Sequence, residues 1–422
     1  MNKKVLYIST RLFWPKNSGK KITAFFNAKG MHEMYNYDVY LYAFLEVDQV
    51  FDAKDQPDFI KEVKILKQPN FLTKLSNILF KTIFGSYSIQ SSLYYSKKNM
   101  QLIKVYIEEI KPDIVIVDMI RLSRYFKSLD TFSGIKVINL DDLLSLRYER
   151  QLTEVTSKTD IGGQYTKDSK GFIKKALKPN WLKRLILSYE SKKVKKEELK
   201  TVNWYDYAYF VSQRETLMYN MLTHTKKAEC ITMGVDTAYF GEEIKVDKVK
   251  NRVSFVGNYY YSANVDSLLM IATKILPLVK HDIELYAIGP VSEEIKASFE
   301  AYPNVKFSGE VDDLRLHVHT SEIALIPIAY GTGIKTKVVE ALAMGMPIIT
   351  NRLGVEGLDV ENRVHLLISN EPETIALSID NLLDDKELQE TLSKNAKAYA
   401  LSNHTWEDIW KDLSKIGFKK DE

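Results

Sequence analysis

The sequence predicts an α/β protein built from two doubly wound parallel-sheet domains in tandem. Three observations carry this expectation. Apolar runs of strand length alternate with helix-length segments along the 422 residues, as parallel strands covered by helices on both faces require. The series starts twice, at 5–9 (VLYIS) and at 253–256 (VSFV), each time followed by a loop and a helical pattern. A charged stretch with two glycines, near 233–250, separates the two series.

In the first series the strand at 5–9 leads through a loop to a helix from Ile22, and further strands are expected at 37–44, 114–118, 137–140 and 208–211. In the second, a helix over 265–280 follows the first strand, with strands at 283–288, 305–307, 323–328, 347–350 and 365–368. Between the last two but one lies a helix from about Lys337 to Ala343, stopped by Gly345 and Pro347, a usual end signal. A final helix from Trp406 places Trp410 and Leu413 on its apolar side. The expected organisation is a first domain over 1–236, a second over 237–403, and a C-terminal helix at 404–422 that packs back on the first.

Composition excludes several classes. With 45% hydrophobic and 27% charged residues the chain is globular rather than disordered or fibrous. Its one cysteine, Cys230, cannot form an internal disulfide, which suits a reducing compartment. The apolar run at the N-terminus breaks at 9–11, too early for a signal peptide, and no apolar run approaches a spanning length. A cytoplasmic protein is expected, peripheral at the inner face of the plasma membrane if it meets a membrane at all. The net charge of +4 hides a basic segment: residues 166–200 hold twelve Lys/Arg against four Asp/Glu. No groove-reading or RNA-binding motif accompanies that charge, so nucleic acid is not an expected partner.

Two loops point to ligands. WPKNSGKKITAF, residues 14–25, contains Gly19-Lys20 but lacks the earlier glycine and the Ser/Thr of a phosphate-binding P-loop. What remains is a loop above the carboxyl end of a strand, where α/β proteins bind ligands, or a plain surface turn. GTGIKTKVVEALAMGMPIIT, residues 331–350, carries a stronger signal. Gly331 and Gly333 let backbone approach a ligand closely. The helix start and two lysines, Lys335 and Lys337, favour an anion, and Glu340 stands one turn in, where a carboxylate can accept sugar hydroxyls. The plainer alternative is a glycine turn with solvated lysines. A dinucleotide fingerprint is disfavoured, since Thr336 holds the third glycine position and Asn351 the acidic one.

SGEVDDL, IALIPIAYGTGIKTKVVEALAMGMPIITNRLGVEGLDV and HLLISNEPETIA resemble the C-terminal half of retaining GT-B glycosyltransferases of family 4, the "group 1" transferases. Within that family they are most similar to bacterial sugar transferases of surface-polysaccharide assembly. ITMGVDTAYF and FVGNYYYSANVDSLL look like its interdomain segment and the start of its donor domain. RLFWPKNSGKK, VDMIRLSRYF and LDDLLSLRYERQ are similar to its first domain, less specifically.

The resemblance implies two Rossmann-like domains facing a cleft. The second would bind a nucleotide diphosphate sugar, UDP- or GDP-linked, and the first a glycan or lipid-linked acceptor, with no cofactor. Glu340 matches the second glutamate of the family's E-x7-E motif, which holds the ribose; the first falls on Thr332. The family's diphosphate-binding Arg and Lys are absent from GNYYYSANVD, leaving Lys335, then Lys337, to neutralise the leaving group. The implied donor set is Glu340, Lys335, Lys337, Gly331, Thr332, Gly333, Ile334, Gly257, Asn258, Gly309 and Val311. Arg11 and Gly19 fall on the acceptor side. The family's histidine has no clear counterpart, since His32 lies on the expected first helix; Asp118 and Asp141, near strand ends, are the candidates to orient or deprotonate an acceptor hydroxyl, or simply cap loops. No Asp-x-Asp occurs, in keeping with metal-independent chemistry. The same fold would also serve a sugar epimerase or a non-catalytic sugar-nucleotide or glycan-binding module.

FLTKLSNILFKTIF, residues 71–84, and the Trp181, Leu182, Leu185, Ile186 and Tyr189 series have amphipathic helical spacing with lysines among them. They suit either an anionic membrane surface or packing on the first domain's sheet.

Overall fold

Val5, Leu6, Tyr7 and Ile8 are fully buried, as a central strand covered on both faces must be. They lie in β1 (Lys4–Ser9) of a seven-stranded sheet. In this computed structural model, which describes residues 2–16, 19–46, 49–128, 132–153 and 180–420, the other strands are β2 (Asp38–Phe44), β3 (Ile60–Leu66), β4 (Ile114–Asp118), β5 (Ile135–Asp141), β6 (Tyr207–Phe210) and β7 (Ala228–Cys230). All pair in parallel in the order β3-β2-β1-β4-β5-β6-β7. The order reverses between β1 and β4, so a crevice opens at their carboxyl ends.

A second sheet holds β8 (Arg252–Val256), β9 (Glu284–Ile288), β10 (Val305–Gly309), β11 (Ile323–Ile326), β12 (Ile348–Thr350) and β13 (Leu367–Ile368). Its order is β10-β9-β8-β11-β12-β13, again parallel, and its reversal lies between β8 and β11. Among the described residues, one compact unit comprises 2–149, 184–233 and 406–420, and the other 150–153, 180–183 and 234–405. The short stretches 150–153 and 180–183 thus group with the second unit, where the sequence reading had them in the first.

β3 and β7 escape the sequence reading for different reasons. β3 (IKEVKIL) is an edge strand whose middle residues are only half-buried, and charged residues are how edges are kept from pairing with other chains. β7 has three residues, too few to show a period. The first helix begins at Gly19 rather than Ile22. The helix expected over 265–280 divides into Ser262–Met270, a π-helical turn Ile271–Ile275 and a 3-10 turn Leu276–Leu278.

The C-terminal residues form a helix, Trp406–Lys411, and a 3-10 turn, Asp412–Ile416, rather than one helix. They pack within the first unit. Trp406 stacks on Phe26 at 4.6 Å, and Tyr35 Oη donates to the Trp410 and Lys411 carbonyls at 3.0 Å each. Gly30 makes this fit possible, because a Cβ there would stand 2.3 Å from the Trp410 ring.

The helix Asn180–Lys200 belongs to the basic segment read from the sequence; 166–179 of that segment lie outside the described residues. Its glutamates are not solvated. Glu190 accepts the Ile89 and Gln90 N–H groups (2.8 and 3.0 Å), Glu197 that of Ser88 (2.9 Å), and Glu198 that of Ser145 (3.2 Å). These carboxylates satisfy the free N–H groups that begin other helices. Burial pushes Glu190 up to about 7 and Glu198 to about 8.

Candidate functional site

In the second unit the loop after β11 turns through Gly331 (φ +148°) and Gly333 (φ +67°), conformations that only glycine adopts freely. The helix Thr336–Ala343 starts immediately after it, with Lys335 at the cap position and no side chain capping its first N–H groups. The loop is braced from below. Asn351 receives the Ile328 N–H (3.2 Å) and donates to the Ile328 carbonyl (2.9 Å), Ser267 Oγ receives the Ala329 N–H (3.0 Å), and Tyr330 Oη donates to Asp266 (3.0 Å).

Lys335 and Lys337 differ in place. Lys335 Nζ turns back on its own loop, donating to the Gly333 and Thr332 carbonyls at 2.5 and 3.2 Å. Lys337, for which the sequence left a solvated position open, is instead half-buried and tied down: Nζ donates to Asn264 Oδ1 at 2.7 Å and lies 4.4 Å over the Phe255 ring. Asn264 Nδ2 in turn donates to the Asn258 carbonyl (2.8 Å). Asn264 therefore ties the loop after β8, with Gly257 and Asn258, to the helix carrying Lys337 and Glu340. Asn264 was missed in the sequence, since a contact across 73 residues leaves no local trace.

Burial pushes the Lys337 ammonium down to about 7 and the Glu340 carboxyl up to about 7, the attraction between the two opposing both shifts. The Glu340 carboxylate accepts no hydrogen bond from any described residue. Glu340 is half-buried, and a partly desolvated carboxylate without a protein donor is open to a ligand's hydroxyls. Ile334 and Thr332 are both buried in the same loop. Gly309 and Val311 are set apart from this cluster, at the carboxyl end of β10, two strands from β8.

In the first unit, Asp118 and Asp141 end the neighbouring strands β4 and β5. Asp118 is buried and accepts from Asn139 Nδ2 (2.8 Å) and Ser9 Oγ (3.3 Å). Burial raises its carboxyl to about 6, with Arg11 and Lys20 pulling it down and Asp141 pushing it up. Asp141 sits in the left-handed region (φ 64°) and pairs with Lys20 Nζ at 2.6 Å. Lys20 stands in the first turn of the helix Gly19–Glu33 and also reaches Asp142 at 3.5 Å. Arg11 pairs with Glu46 at 3.3 Å. The structure thus gathers Arg11, Gly19, Asp118 and Asp141 at the carboxyl ends of β1, β4 and β5. Lys20, Ser9, Asn139 and Asp142 join them; of these the sequence singled out only Lys20, inside the rejected P-loop. His32 is turned to the Tyr37 carbonyl (3.1 Å).

Residues 250–385 match the family described as glycosyl transferases group 1. An uncharacterized 44.6 kDa protein in the cps region of Klebsiella pneumoniae is 25% identical over 182 residues, 40% of this chain and 47% of that protein; the match spans about half of that relative's length. Sucrose-phosphate synthase from Thermosynechococcus elongatus superposes with a TM-score of 0.68 at 15% identity, over 98% of both chains. HepE of Anabaena, solved in complex with UDP-glucose, does so with a TM-score of 0.63 at 12% identity, also over 98% of both.

Proposed function

Because residues 250–385 are a glycosyl transferases group 1 domain within a GT-B fold, we propose that the protein is a glycosyltransferase. It moves a sugar from a nucleotide diphosphate sugar to a hydroxyl of a glycan or lipid-linked acceptor, with retention and without a metal, on the cytoplasmic side. The observation that carries this reading is Glu340, a half-buried carboxylate that accepts no hydrogen bond from a described residue, beside an uncapped helix start and the half-buried Lys337.

In this reading the ribose hydroxyls donate to Glu340, and the diphosphate meets the first N–H groups of Thr336–Ala343 and the Lys337 ammonium. Lys335 shapes the loop through its carbonyls and adds charge from one side. As the bond from the anomeric carbon to the diphosphate breaks, these groups hold the charge that a divalent ion would otherwise balance. The acceptor oxygen forms the new bond, and its proton passes to a base, for which Asp118 is the candidate, with Asp141 held by Lys20. Gly257 and Asn258 lie at the switch point between β8 and β11 and serve the donor; Gly309 and Val311 would contact only its outer part. HepE's complex with UDP-glucose favours a uridine donor, and the cps-region relative favours polysaccharide assembly.

A thermal-shift panel of UDP- and GDP-sugars tests the reading, followed by transfer assays with the stabilising donor. A donor at about 100 times its Kd should stabilise the fold by about 2.7 kcal/mol. If no sugar nucleotide shifts Tm or is turned over, the reading fails. Binding without turnover would instead favour a non-catalytic module, the alternative that Thr332 in place of the first glutamate keeps open.

Nucleotide affinity should also be bell-shaped in pH, centred near 7. Below about 7 Glu340 takes up a proton and ceases to accept the ribose hydroxyls; above about 7 Lys337 loses the charge that meets the diphosphate. The two limbs belong to the pair rather than to either residue. Calorimetric titrations of UDP or GDP between pH 5.5 and 9 check this; flat affinity across that range would remove the pair from the site.

A further inference from the structure

The segment 71–84 is built inside out. Its helix, Phe71–Asn77, continues as the π-helical turn Ile78–Ile83. The polar residues face inward: Asn77 and Thr82 are buried, Asn77 Nδ2 donates to the Ser92 and Tyr95 carbonyls (2.9 and 2.7 Å), and Thr82 Oγ1 lies 2.7 Å from Ser92 Oγ. The apolar residues face out. Phe71, Leu72, Phe80 and Phe84 are 64–77% exposed, with Leu75 and Ile83 more than half exposed. The alternative that this apolar face packs on the sheet is therefore overturned. The helix Asn180–Lys200 lies alongside, since Tyr189 Oη and Lys193 Nζ both donate to the Thr82 carbonyl (3.0 and 2.9 Å), and it adds exposed Leu185 and Tyr189.

Charge identifies the partner. The 45 residues 63–107 contain no Asp or Glu and seven lysines. On the neighbouring helix, Glu190, Glu197 and Glu198 are buried as caps and Lys195 pairs with Glu149 at 3.2 Å, while Arg184, Lys192 and Lys196 add positive charge to the exposed side. A face of exposed Phe and Leu with an excess of cations around it is complementary to an anionic bilayer. Rings and aliphatic chains enter the interface while the lysine stems keep their charges at the headgroups. A face meant for a second copy of the chain would set lysines against lysines, which costs affinity.

We propose that residues 71–84, together with Leu185 and Tyr189, dock the first unit on an anionic membrane surface. This goes beyond the transferase reading and stands apart from it, because vesicle binding and nucleotide binding are measured separately. The full chain is floated with vesicles of phosphatidylcholine alone or with roughly 30% phosphatidylglycerol. Wild type should float with the anionic vesicles only, and about 0.5 M salt should weaken this. Phe80→Glu/Phe84→Glu and, at the other end of the face, Leu72→Glu/Leu75→Glu should each weaken binding at least about tenfold, while the nucleotide-induced Tm shift stays at the wild-type value. Absence of flotation at low salt, flotation equal on neutral vesicles, or binding that both variants retain would overturn the proposal. So would a wild-type dimer in solution that both variants abolish, which would give the face to a second copy.

Discussion

Glu340→Gln is expected to weaken nucleotide binding by about 10- to 150-fold without lowering Tm. The first part follows from the lost carboxylate, since a hydrogen bond to a charged group contributes about 1.5–3 kcal/mol. The second follows from the cost of keeping that carboxylate. Its folded-state pKa is raised by burial, so it contributes stability that is fully present below its unfolded value, near 4.5, and is lost as pH climbs through about 7. At pH 8 the wild-type protein carries most of that penalty and the glutamine variant does not. The loss of Lys337's counter-charge offsets part of the gain. The variant should therefore be equal to or more stable than wild type at pH 6 and more so at pH 8, while its affinity falls much more at pH 8, where the wild-type carboxylate is ionised, than at pH 6. Isothermal titration with UDP or GDP and melting curves at the two pH values separate these effects. A lower Tm together with unchanged affinity would make Glu340 a structural residue and leave the donor site without its central acceptor.

How far the sequence reveals this arrangement depends on the range of each interaction. The strands that open the two sheets, β1 and β8, are short, mostly apolar runs, buried over five and three consecutive residues respectively. The loop at 331–335 is equally local: two glycines at the spacing a sharp turn needs, before a helix whose end is marked by Gly345. What the sequence hides is pairing at a distance. Whether Lys337 is free in solvent or tied down depends on Asn264 and Phe255, which arrive from another strand and the helix that follows it. Lys20 could be seen in sequence but not its partner Asp141. The segment 71–84 shows the opposite failure. Its periodicity correctly marks an amphipathic helix, but periodicity does not say which face turns inward. Two buried polar residues, Asn77 and Thr82, settle that by bonding to carbonyls and a hydroxyl of the following helix, and apolar pattern alone gave them no weight.

Asp118→Asn should reduce turnover by about 10²- to 10⁴-fold, the range for removing a positioned base, and leave nucleotide affinity at the wild-type value. The side chain is suited to the task by its surroundings. Asn139 and Ser9 fix its orientation by donating hydrogen bonds to its two oxygens, and burial lifts its carboxyl to about 6, with Asp141 adding to the rise. A base with that value is mostly ionised at neutral pH yet takes a proton more readily than an ordinary aspartate. Wild-type kcat/KM should rise with pH through about 6 as the carboxylate forms, and the asparagine variant should lose that limb. Asp141 offers the contrast. Its Lys20 ion pair at 2.6 Å holds it as a charged anchor, so Asp141→Asn should raise KM for the acceptor more than it lowers kcat, and the limb near 6 should persist. Lys20→Met serves as the control on the same anchor and should resemble Asp141→Asn. If Asp118→Asn turns over normally, or if its limb survives, the acceptor proton leaves by another route, and the buried aspartate is there to hold the ends of β1, β4 and β5 together.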